Sequence, residues 1–239
     1  MSEVFSRSEA LLGPAALKAL ADAHVLVVGV GGVGSWCAEA LVRTGLGHVA
    51  LMDDDVVVES NVNRQCPATA LTVGRPKVEA MAERLKAINP NCDVTALCQR
   101  FACWTSLASW ADFDLIVDAI DSVDCKAELI LGATGAGVPL VSSMGAALRL
   151  DPTQVKVTRF EKVEGDGLAR ALRQRFKRLS RFPAAKFSCV WSVECPVRTV
   201  EQSNNPNDRT IPKGSLMPVT ATFGMCLASE AIRILASAH

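Results

Sequence analysis

The segment from Val25 to Asp55 constrains the fold of this chain more than any other. It begins with the apolar run Val25-Leu26-Val27-Val28, which is typical of a strand buried on both faces. A glycine-rich turn and a helical pattern follow, and then a second apolar run, His48 to Met52, that leads into three aspartates. This order predicts a nucleotide-binding βαβ unit, in which a phosphate sits at the helix N-terminus and an acid reaches the ribose hydroxyls. The glycine pattern alone fits nicotinamide and flavin enzymes equally well.

A polar segment after this unit favours a triphosphate over a dinucleotide. It reads Asn61-Val62-Asn63-Arg64-Gln65, and a hydride-transfer enzyme has no need for it beside the ribose. Arg64 can form two parallel bonds to a phosphate, while Asn61 and Gln65 can fix the backbone around it. Taken alone, however, a loop arginine is also an ordinary surface charge.

Lys77 is expected at the start of the next helix. The residues Gly74-Arg75-Pro76-Lys77 open a helical pattern, and proline suits the first turn of a helix. A lysine that projects from a helix N-terminus there can meet phosphate charge. Considered singly, Lys77 also fits an exposed surface lysine.

Two further acids follow the apolar run that begins at Phe113. Asp118 and Asp121 end this predicted strand, and ligands of open α/β sheets bind outside the carboxyl ends of the strands. A carboxylate that faces a triphosphate can hold magnesium, which prefers oxygen ligands. Either acid could instead cap the following helix. We expect Asp121 to be the metal ligand and Asp118 to be structural.

Composition and chain ends set the broad class. The chain has 239 residues, with 25 basic and 25 acidic side chains, so its net charge gives no sign of a nucleic-acid partner. Its nine cysteines include no Cys-x-x-Cys pair, which argues against a disulfide framework or a four-cysteine zinc site and predicts a reducing cytoplasm. No apolar run reaches the length of a membrane span, and residues 1–20 lack a signal-type hydrophobic region.

The two ends of the chain carry local signals. Residues 1–23 predict an amphipathic helical arm with a restart at Pro14, and its Arg7 fits a solvated charge on position alone. Between Lys156 and Lys186 ten basic residues face only three acidic ones, a net charge of +7 centred on a helix that Asp166 begins. Such a local field suits a polyanion, although a solvated basic helix is an equally good explanation.

Five motifs in order resemble one family. They are Gly29-x-Gly31-Gly32-x-Gly34, Asp53-x-Asp55, Asn61-x-x-Arg64-Gln65, Gly74-x-Pro76-Lys77 and Asp118-x-x-Asp121. Together they resemble the ubiquitin-activating-enzyme-like adenylating proteins, which include the bacterial activators of thiamine and molybdopterin sulfur carriers. The resemblance implies a Rossmann-like α/β fold with a mostly parallel sheet, extended by further strands and a basic helical segment. It also implies ATP and magnesium as cofactors and adenylation of a carboxylate.

The resemblance also assigns roles to particular residues. It implies nucleotide contacts from Gly29, Gly31, Gly32, Gly34, Asp53, Asp55, Asn61, Arg64, Gln65 and Lys77. It implies catalytic roles for Asp121, the magnesium ligand, and for Arg64, Lys77 and Arg7. Arg7 matches an arginine that homodimeric relatives insert into the neighbouring subunit's ATP site. A single adenylating domain over 1–239 is expected, with an arm (1–23), an ATP-binding core (24–150) and a substrate-facing extension (151–239).

The extension is similar to one branch, the tRNA threonylcarbamoyladenosine dehydratases. The likeness rests on the basic helix, on Ser192-Val193-Glu194 and on Val219 to Gly224. It implies ATP-dependent cyclisation of threonylcarbamoyladenosine beside the tRNA anticodon, with tRNA contacts from Arg170, Arg173, Lys177 and Arg178. It further implies a homodimer and a link to a cysteine desulfurase and its sulfur-acceptor protein.

Several points stay open at the level of sequence. Adenylation of the C-terminal carboxylate of a ubiquitin-like sulfur carrier is the alternative, although those activators usually carry two Cys-x-x-Cys pairs. Some family members pass the acyl group to a cysteine, and Cys189, Cys195 and Cys226 lie where such a residue could be placed. Residues 203–214 predict an exposed loop over the ATP site, and Phe223–Leu235 predicts a C-terminal helix.

Overall fold

A computed structural model describes residues 3–101, 109–197 and 214–237, which build a seven-stranded sheet with helices on both faces. The strands lie in the order β3-β2-β1-β4-β5-β7-β6, and all neighbours pair in parallel except the edge strand β6, which is antiparallel to β7. The predicted mostly parallel α/β sheet is therefore confirmed. The strands are β1 (His24–Val28), β2 (His48–Met52), β3 (Asp93–Leu97), β4 (Leu115–Asp118), β5 (Leu140–Ser143), β6 (Val155–Arg159) and β7 (Ser188–Ser192).

Within the described residues, seven α-helices cover the two faces of the sheet. They are α1 (Ser6–Leu12), α2 (Pro14–Asp22), α3 (Gly34–Thr44), α4 (Lys77–Ile88), α5 (Val123–Gly135), α6 (Gly167–Leu179) and α7 (Met217–Ser237). Apolar side chains of α2, α3, α4 and α7 share one core cluster, and those of α5 and α6 share the other. Both clusters include residues of the central strands, which accounts for the continuous apolar runs of β1 and β4.

The strand order reverses beside β1. This strand pairs with β2 on one side and with β4 on the other, so the connections that follow β1 and β4 leave the sheet in opposite directions. A crevice opens at the carboxyl ends of strands at such a switch point. The glycine turn, Asp53 and Asp121 all follow strands at this edge, which we call the carboxyl edge.

The N-terminal arm lies towards the opposite, amino edge of the sheet. Gly13, with a φ of 84°, separates α1 from α2, and Pro14 begins α2 as the sequence predicts. Gly47, just before β2, donates its N–H to Leu20 O at 3.1 Å, so the end of α2 lies beside the start of that strand.

The C-terminal helix is longer than the sequence analysis predicts. It covers 21 residues, with a mean hydropathy of 1.4. By length and composition alone the helix could span a membrane, which corrects the expectation that no apolar run is long enough. Its apolar face packs against α3, where a Cβ on Gly224 would lie 2.6 Å from Val33 O. Packing of a core helix thus explains its composition. Of the predicted loop 203–214, all but Gly214 lies outside the described residues.

Candidate active site

The glycine turn is shaped by close packing against the end of β4. Gly29 adopts a φ of 90°, and a Cβ there would lie 2.7 Å from Ala119 O, while a Cβ on Gly34 would overlap the Gly29 carbonyl. Only glycine fits these two positions. Around Gly31 and Gly32 the nearest groups are side-chain atoms of Gln65 and Arg64, at 3.8 and 3.3 Å from the positions of added Cβ atoms. The turn is thus lined by the polar segment that the sequence singles out.

Asp53 is held against this turn. Its carboxylate accepts the N–H of Val30 at 2.6 Å and the N–H of Asp55 at 2.9 Å. Burial raises the pKa of the Asp53 carboxyl, and the charge of Lys77 and the two N–H groups oppose that rise. The side chain is therefore fixed at the end of β2, where an acid can reach a ribose bound over the turn.

Lys77 begins α4, as predicted, and its ammonium group points back at the acids. Its Nζ lies 2.6 Å from Asp55 Oδ2, and only 7% of its side chain is exposed. The backbone repeats the link, because Lys77 donates its N–H to Asp55 O at 3.0 Å. In this structure Asp55 orients the lysine, which is a different role from the direct nucleotide contact expected for it.

Arg64 and Gln65 differ in how they are held. The Arg64 guanidinium donates to Ser60 O and Asn63 Oδ1, both at 2.9 Å, and Trp36 donates its indole N–H to Arg64 O. Gln65 is buried, and its Oε1 has no hydrogen-bond partner among the described residues. A buried amide oxygen left unpaired beside a glycine turn fits a polar ligand. The backbone of Gln65 also takes part in holding the loop, because its carbonyl oxygen accepts the N–H of Ala68 at 3.1 Å.

Asn61 keeps the role expected of it. Its side-chain oxygen accepts the N–H of Val58 at 3.2 Å, and its backbone oxygen accepts the N–H of Gln65 at 2.9 Å. Since the side chain is buried, Asn61 shapes the loop that presents Arg64 and Gln65.

The two acids of the β4 end have separate environments. Asp118 is fully buried, 2.9 Å from Lys126 Nζ, and accepts the hydroxyl of Ser142 at 2.7 Å. Lys126 also donates to Ile120 O at 2.9 Å, so this network fixes the backbone just before Asp121. Asp121 itself is exposed at the carboxyl edge. This agrees with the expectation that Asp118 is structural.

Sequence reasoning missed two parts of the site. Lys126 is one, although a lysine near the start of the largely apolar helix α5, eight residues after a strand-end acid, is a recognisable signal. The start of α7 is the other: Thr220 Cβ lies 3.4 Å from the position of a Cβ on Gly32, and Asn63 donates to Ser215 O at 3.0 Å. Nothing in the local sequence of α7 indicates that its first turn lies beside the glycine turn.

Arg7 lies far from the turn of its own chain. It is exposed on α1, and Phe5, directly before this helix, lies 3.7 Å from the position of a Cβ on Gly45, at the far end of α3. The glycine turn is at the other end of α3, which is 11 residues or about 16 Å long. A single chain therefore does not bring Arg7 together with Arg64 and Lys77.

The basic helix α6 starts at a well-satisfied cap. Asp166 accepts the N–H of Ala169 at 2.8 Å and that of Gly145, after β5, at 3.2 Å. Buried Arg149 lies 3.8 Å from the same carboxylate and donates to Glu194 O. Asp166 thus links α6 to the chain that continues from β5 along the carboxyl edge.

Three of the four predicted tRNA contacts are exposed, and the fourth, Arg173, is engaged within the fold. Arg170, Lys177 and Arg178 are exposed and form no ion pair with any described residue. Arg173 instead donates to Phe160 O and Val163 O at 2.8 and 2.7 Å and lies 5.0 Å from the centre of the Phe160 ring. Its guanidinium therefore joins α6 to the segment that carries Phe160 and Val163.

The cysteines considered as acyl acceptors divide by burial. Burial raises the pKa of Cys189 and Cys226, which disfavours the thiolate that would act as nucleophile. Cys195 is exposed at the end of β7. All eight cysteines within the described residues are free thiols.

Comparison with known proteins gives a consistent result. The chain matches the ThiF family over residues 5–239. It is 40% identical to the tRNA threonylcarbamoyladenosine dehydratase of Escherichia coli K12, over 96% of this chain and 92% of that one, and 40% identical to that of Bacillus subtilis 168, over 93% and 89%. The structure resembles that of the E. coli enzyme in complex with AMP (TM-score 0.87, 40% identity, 98% and 94% covered) and with ATP (0.84, 39%, 98% and 93%).

Proposed function

Because this chain belongs to the ThiF family, we propose that it catalyses the ATP-dependent dehydration of threonylcarbamoyladenosine beside the tRNA anticodon by adenylating the threonyl carboxylate. The observation that carries the proposal is the placement of Arg64, Gln65 and the glycine turn around one site at the carboxyl edge, with Lys77 directed to the acids beside it. Together with 40% identity over nearly the whole chain, this set is sufficient for an ATP-using enzyme of that specificity.

The reaction divides into two steps. A carboxylate oxygen of the threonyl group attacks the α-phosphorus of ATP, and the bond to pyrophosphate breaks to give an acyl adenylate. An atom of the adjacent carbamoyl group then attacks the activated carbonyl carbon, loses its proton, and displaces AMP. The oxygen lost from the substrate leaves in AMP, so the product is lighter by one water. The second step is fast because the attacking atom is already tethered nearby.

The residues of the site reduce the electrostatic barrier to the first step. Two anions must meet when a carboxylate approaches a triphosphate, and fixed cations stabilise the charge that develops. Lys77 is fixed by Asp55, and Arg64 is held beside Gly32. The enzyme needs no histidine as a base for this step. His24 and His48 stack at 4.0 Å at the amino edge, away from the site.

The donor set fits magnesium. Asp121 is an exposed carboxylate at the edge that holds the turn, and Asp53, Asp54 and Asp55 offer oxygens within 4.8 Å of one another. Two of these three are engaged, Asp53 by backbone N–H groups and Asp55 by Lys77, so we assign the ion to Asp121. Bound there, magnesium neutralises phosphate charge.

We propose a homodimer with an exchanged arm, and the position of Arg7 away from the site of its own chain supports it. The arm exposes Val4 and Leu11, and the segment that carries the Arg64 loop exposes Val56, Val58, Val62, Leu71 and Val73. Apolar surface on both the arm and the site suits their contact between two chains. The arm of one chain then supplies Arg7 to the ATP site of its partner.

The tRNA binds across α6 through Arg170, Lys177 and Arg178.

Strands β6 and β7, from the extension, complete the same sheet as the ATP-binding core, which supports a single adenylating domain. The free thiols of the described residues fit a cytoplasmic location. We also propose a functional link to a cysteine desulfurase and its sulfur-acceptor protein in the same compartment.

The test is nucleoside mass analysis of tRNA incubated with the protein and ATP. Threonylcarbamoyladenosine should convert to a product lighter by one water, with release of AMP and pyrophosphate. Unchanged tRNA nucleosides, together with pyrophosphate exchange stimulated by a sulfur-carrier protein, would support adenylation of that carrier instead. The sequence, which has no Cys-x-x-Cys pair, disfavours this alternative.

A further inference from the structure

Phe182, three residues beyond the end of α6, is an aromatic side chain that the proposed reaction does not use. It is 65% exposed, whereas the neighbouring phenylalanines of the same region are buried. Phe160 stacks on Phe187 with ring centres 5.1 Å apart and meets Phe176 edge-on at 6.1 Å. The region thus has an aromatic cluster, and Phe182 is kept outside it. A single exposed ring is not unusual on a protein surface, so its significance depends on how it is presented and on what surrounds it.

The backbone that carries Phe182 is held on both sides. Ser180 ends α6 in a left-handed conformation with a φ of 49°, and Arg181 donates its N–H to Phe176 O at 3.2 Å. The Arg181 guanidinium pairs with Glu128, and Ala184 donates its N–H to Thr134 Oγ1, both at 3.2 Å. Pro183 restricts the residue before it to extended conformations. The backbone that presents the ring is therefore held in place.

Three cations close to Phe182 in the sequence have no acidic partner among the described residues. Lys177 and Arg178, in the last turn of α6, and Lys186 are exposed and form no ion pair within the described part of the chain. The nearby acids Asp124 and Glu128 are already neutralised by Arg175 and Arg181. An exposed ring on a held backbone, with unpaired cations close by in the sequence, is the combination by which proteins bind unpaired nucleotides, because bases stack on the ring and phosphates meet the cations.

We propose that Phe182 is a stacking platform for an unpaired base of the tRNA substrate, with the adjoining phosphates on Lys177 and Arg178. The proposal rests on the proposed function, because it names how the same substrate is held. The partner is a single-stranded RNA loop. A duplex would leave no base free to stack on the ring, and shape and phosphates would suffice to hold it.

The experiment compares Phe182→Ala, Phe182→Leu and Phe182→Trp in the full-length enzyme, with the KM for tRNA and kcat measured at several salt concentrations. Alanine and leucine should each raise KM roughly tenfold with kcat unchanged, since leucine is apolar but has no π face, while tryptophan should keep the KM of the parent enzyme. The slope of log KM against log salt should not change, because no phosphate contact is lost. Met225→Ala, an exposed apolar side chain on the opposite face of the sheet, is the matched control and should be without effect.

Three results would overturn the proposal. Full activity in Phe182→Leu would show that the contact needs only an apolar side chain. Dissociation of Phe182→Ala into monomers, measured by analytical ultracentrifugation, would show that Phe182 is a contact between copies of the chain. If the unaltered enzyme does not convert threonylcarbamoyladenosine at all, the proposed function fails instead. If it does convert it and all three variants keep the parent KM, only the stacking role fails.

Discussion

The cations of the carboxyl edge and those of α6 are set in opposite ways. Lys77 and Lys126 are buried, and each is matched to one aspartate at less than 3 Å, 2.6 Å for Asp55 and 2.9 Å for Asp118. Lys177 and Arg178 are exposed and have no acidic partner within the described ranges. A charge that must stabilise a reaction is oriented in advance, whereas a charge that must attract a long polyanion is left free. The comparison predicts different readouts for substitutions in the two regions.

The largest effect is expected at the fully buried pair. Lys126→Met leaves Asp118 charged and unpaired beneath the site, which should lower the free energy of unfolding by about 3–5 kcal/mol. Urea denaturation at pH 7 measures it. The double variant Lys126→Met with Asp118→Leu should recover most of the loss, because no buried charge remains. A single variant within 1 kcal/mol of the parent would show that the pair is not structurally important.

Lys77 should affect turnover more than folding. Lys77→Met removes a fixed cation from the ATP site and should lower kcat/KM by about 10²–10³-fold, the usual effect of losing one preorganised group. Pyrophosphate release measures it. Arg75→Ala is the matched control, since Arg75 lies two residues away and pairs with Glu83 on the surface. An equal loss of kcat/KM in Lys77→Met and Arg75→Ala would show that the orientation of Lys77 has no special role in the reaction.

Charge reversal on α6 should act through affinity alone. Lys177→Glu with Arg178→Glu should weaken tRNA binding by roughly tenfold or more and make the dependence on salt shallower, because phosphate contacts are lost. Filter binding across a salt series measures both. Arg173→Met should leave the slope unchanged and lower the melting temperature instead, since Arg173 bonds the carbonyls of Phe160 and Val163. A shallower salt dependence with an unchanged melting temperature would show that Arg173 contacts the tRNA instead.

The smallest effect is expected at Glu39, which pairs with the half-exposed arginines Arg84 and Arg43. Burial by itself raises the pKa of this carboxyl, but hydrogen bonds from Arg84, Cys66 and Arg43 outweigh it and lower the pKa from 4.5 to about 2. A depressed pKa adds stability above the ordinary value, and that stability is lost as pH falls towards 2. Glu39→Gln should therefore cost about 1–2 kcal/mol at pH 7 and progressively less below pH 4.5. Thermal melts across this range measure it, and a loss independent of pH would exclude the charge as its cause.

Much of the fold could be predicted because its signals are local. The glycine turn, the start of α4 at Lys77 and the cap of α6 at Asp166 each depend on a few neighbouring residues, and each is confirmed. Contacts between distant parts of the chain could not be predicted in this way. Arg173 reads as one more cation of a basic helix until the two carbonyls that face it are known. The pairing of Asp55 with Lys77 likewise cannot be read from either local sequence.

The cap of α6 has a consequence for how such enzymes diversify. The carboxylate of Asp166 fastens both the first turn of α6 and Gly145, while the exposed residues of the helix make no contact that the nucleotide edge depends on. Substitutions on the outer surface of α6 are therefore expected to leave adenylation intact. If the helix binds tRNA as proposed, the preference for one tRNA over another can change in evolution independently of the chemistry.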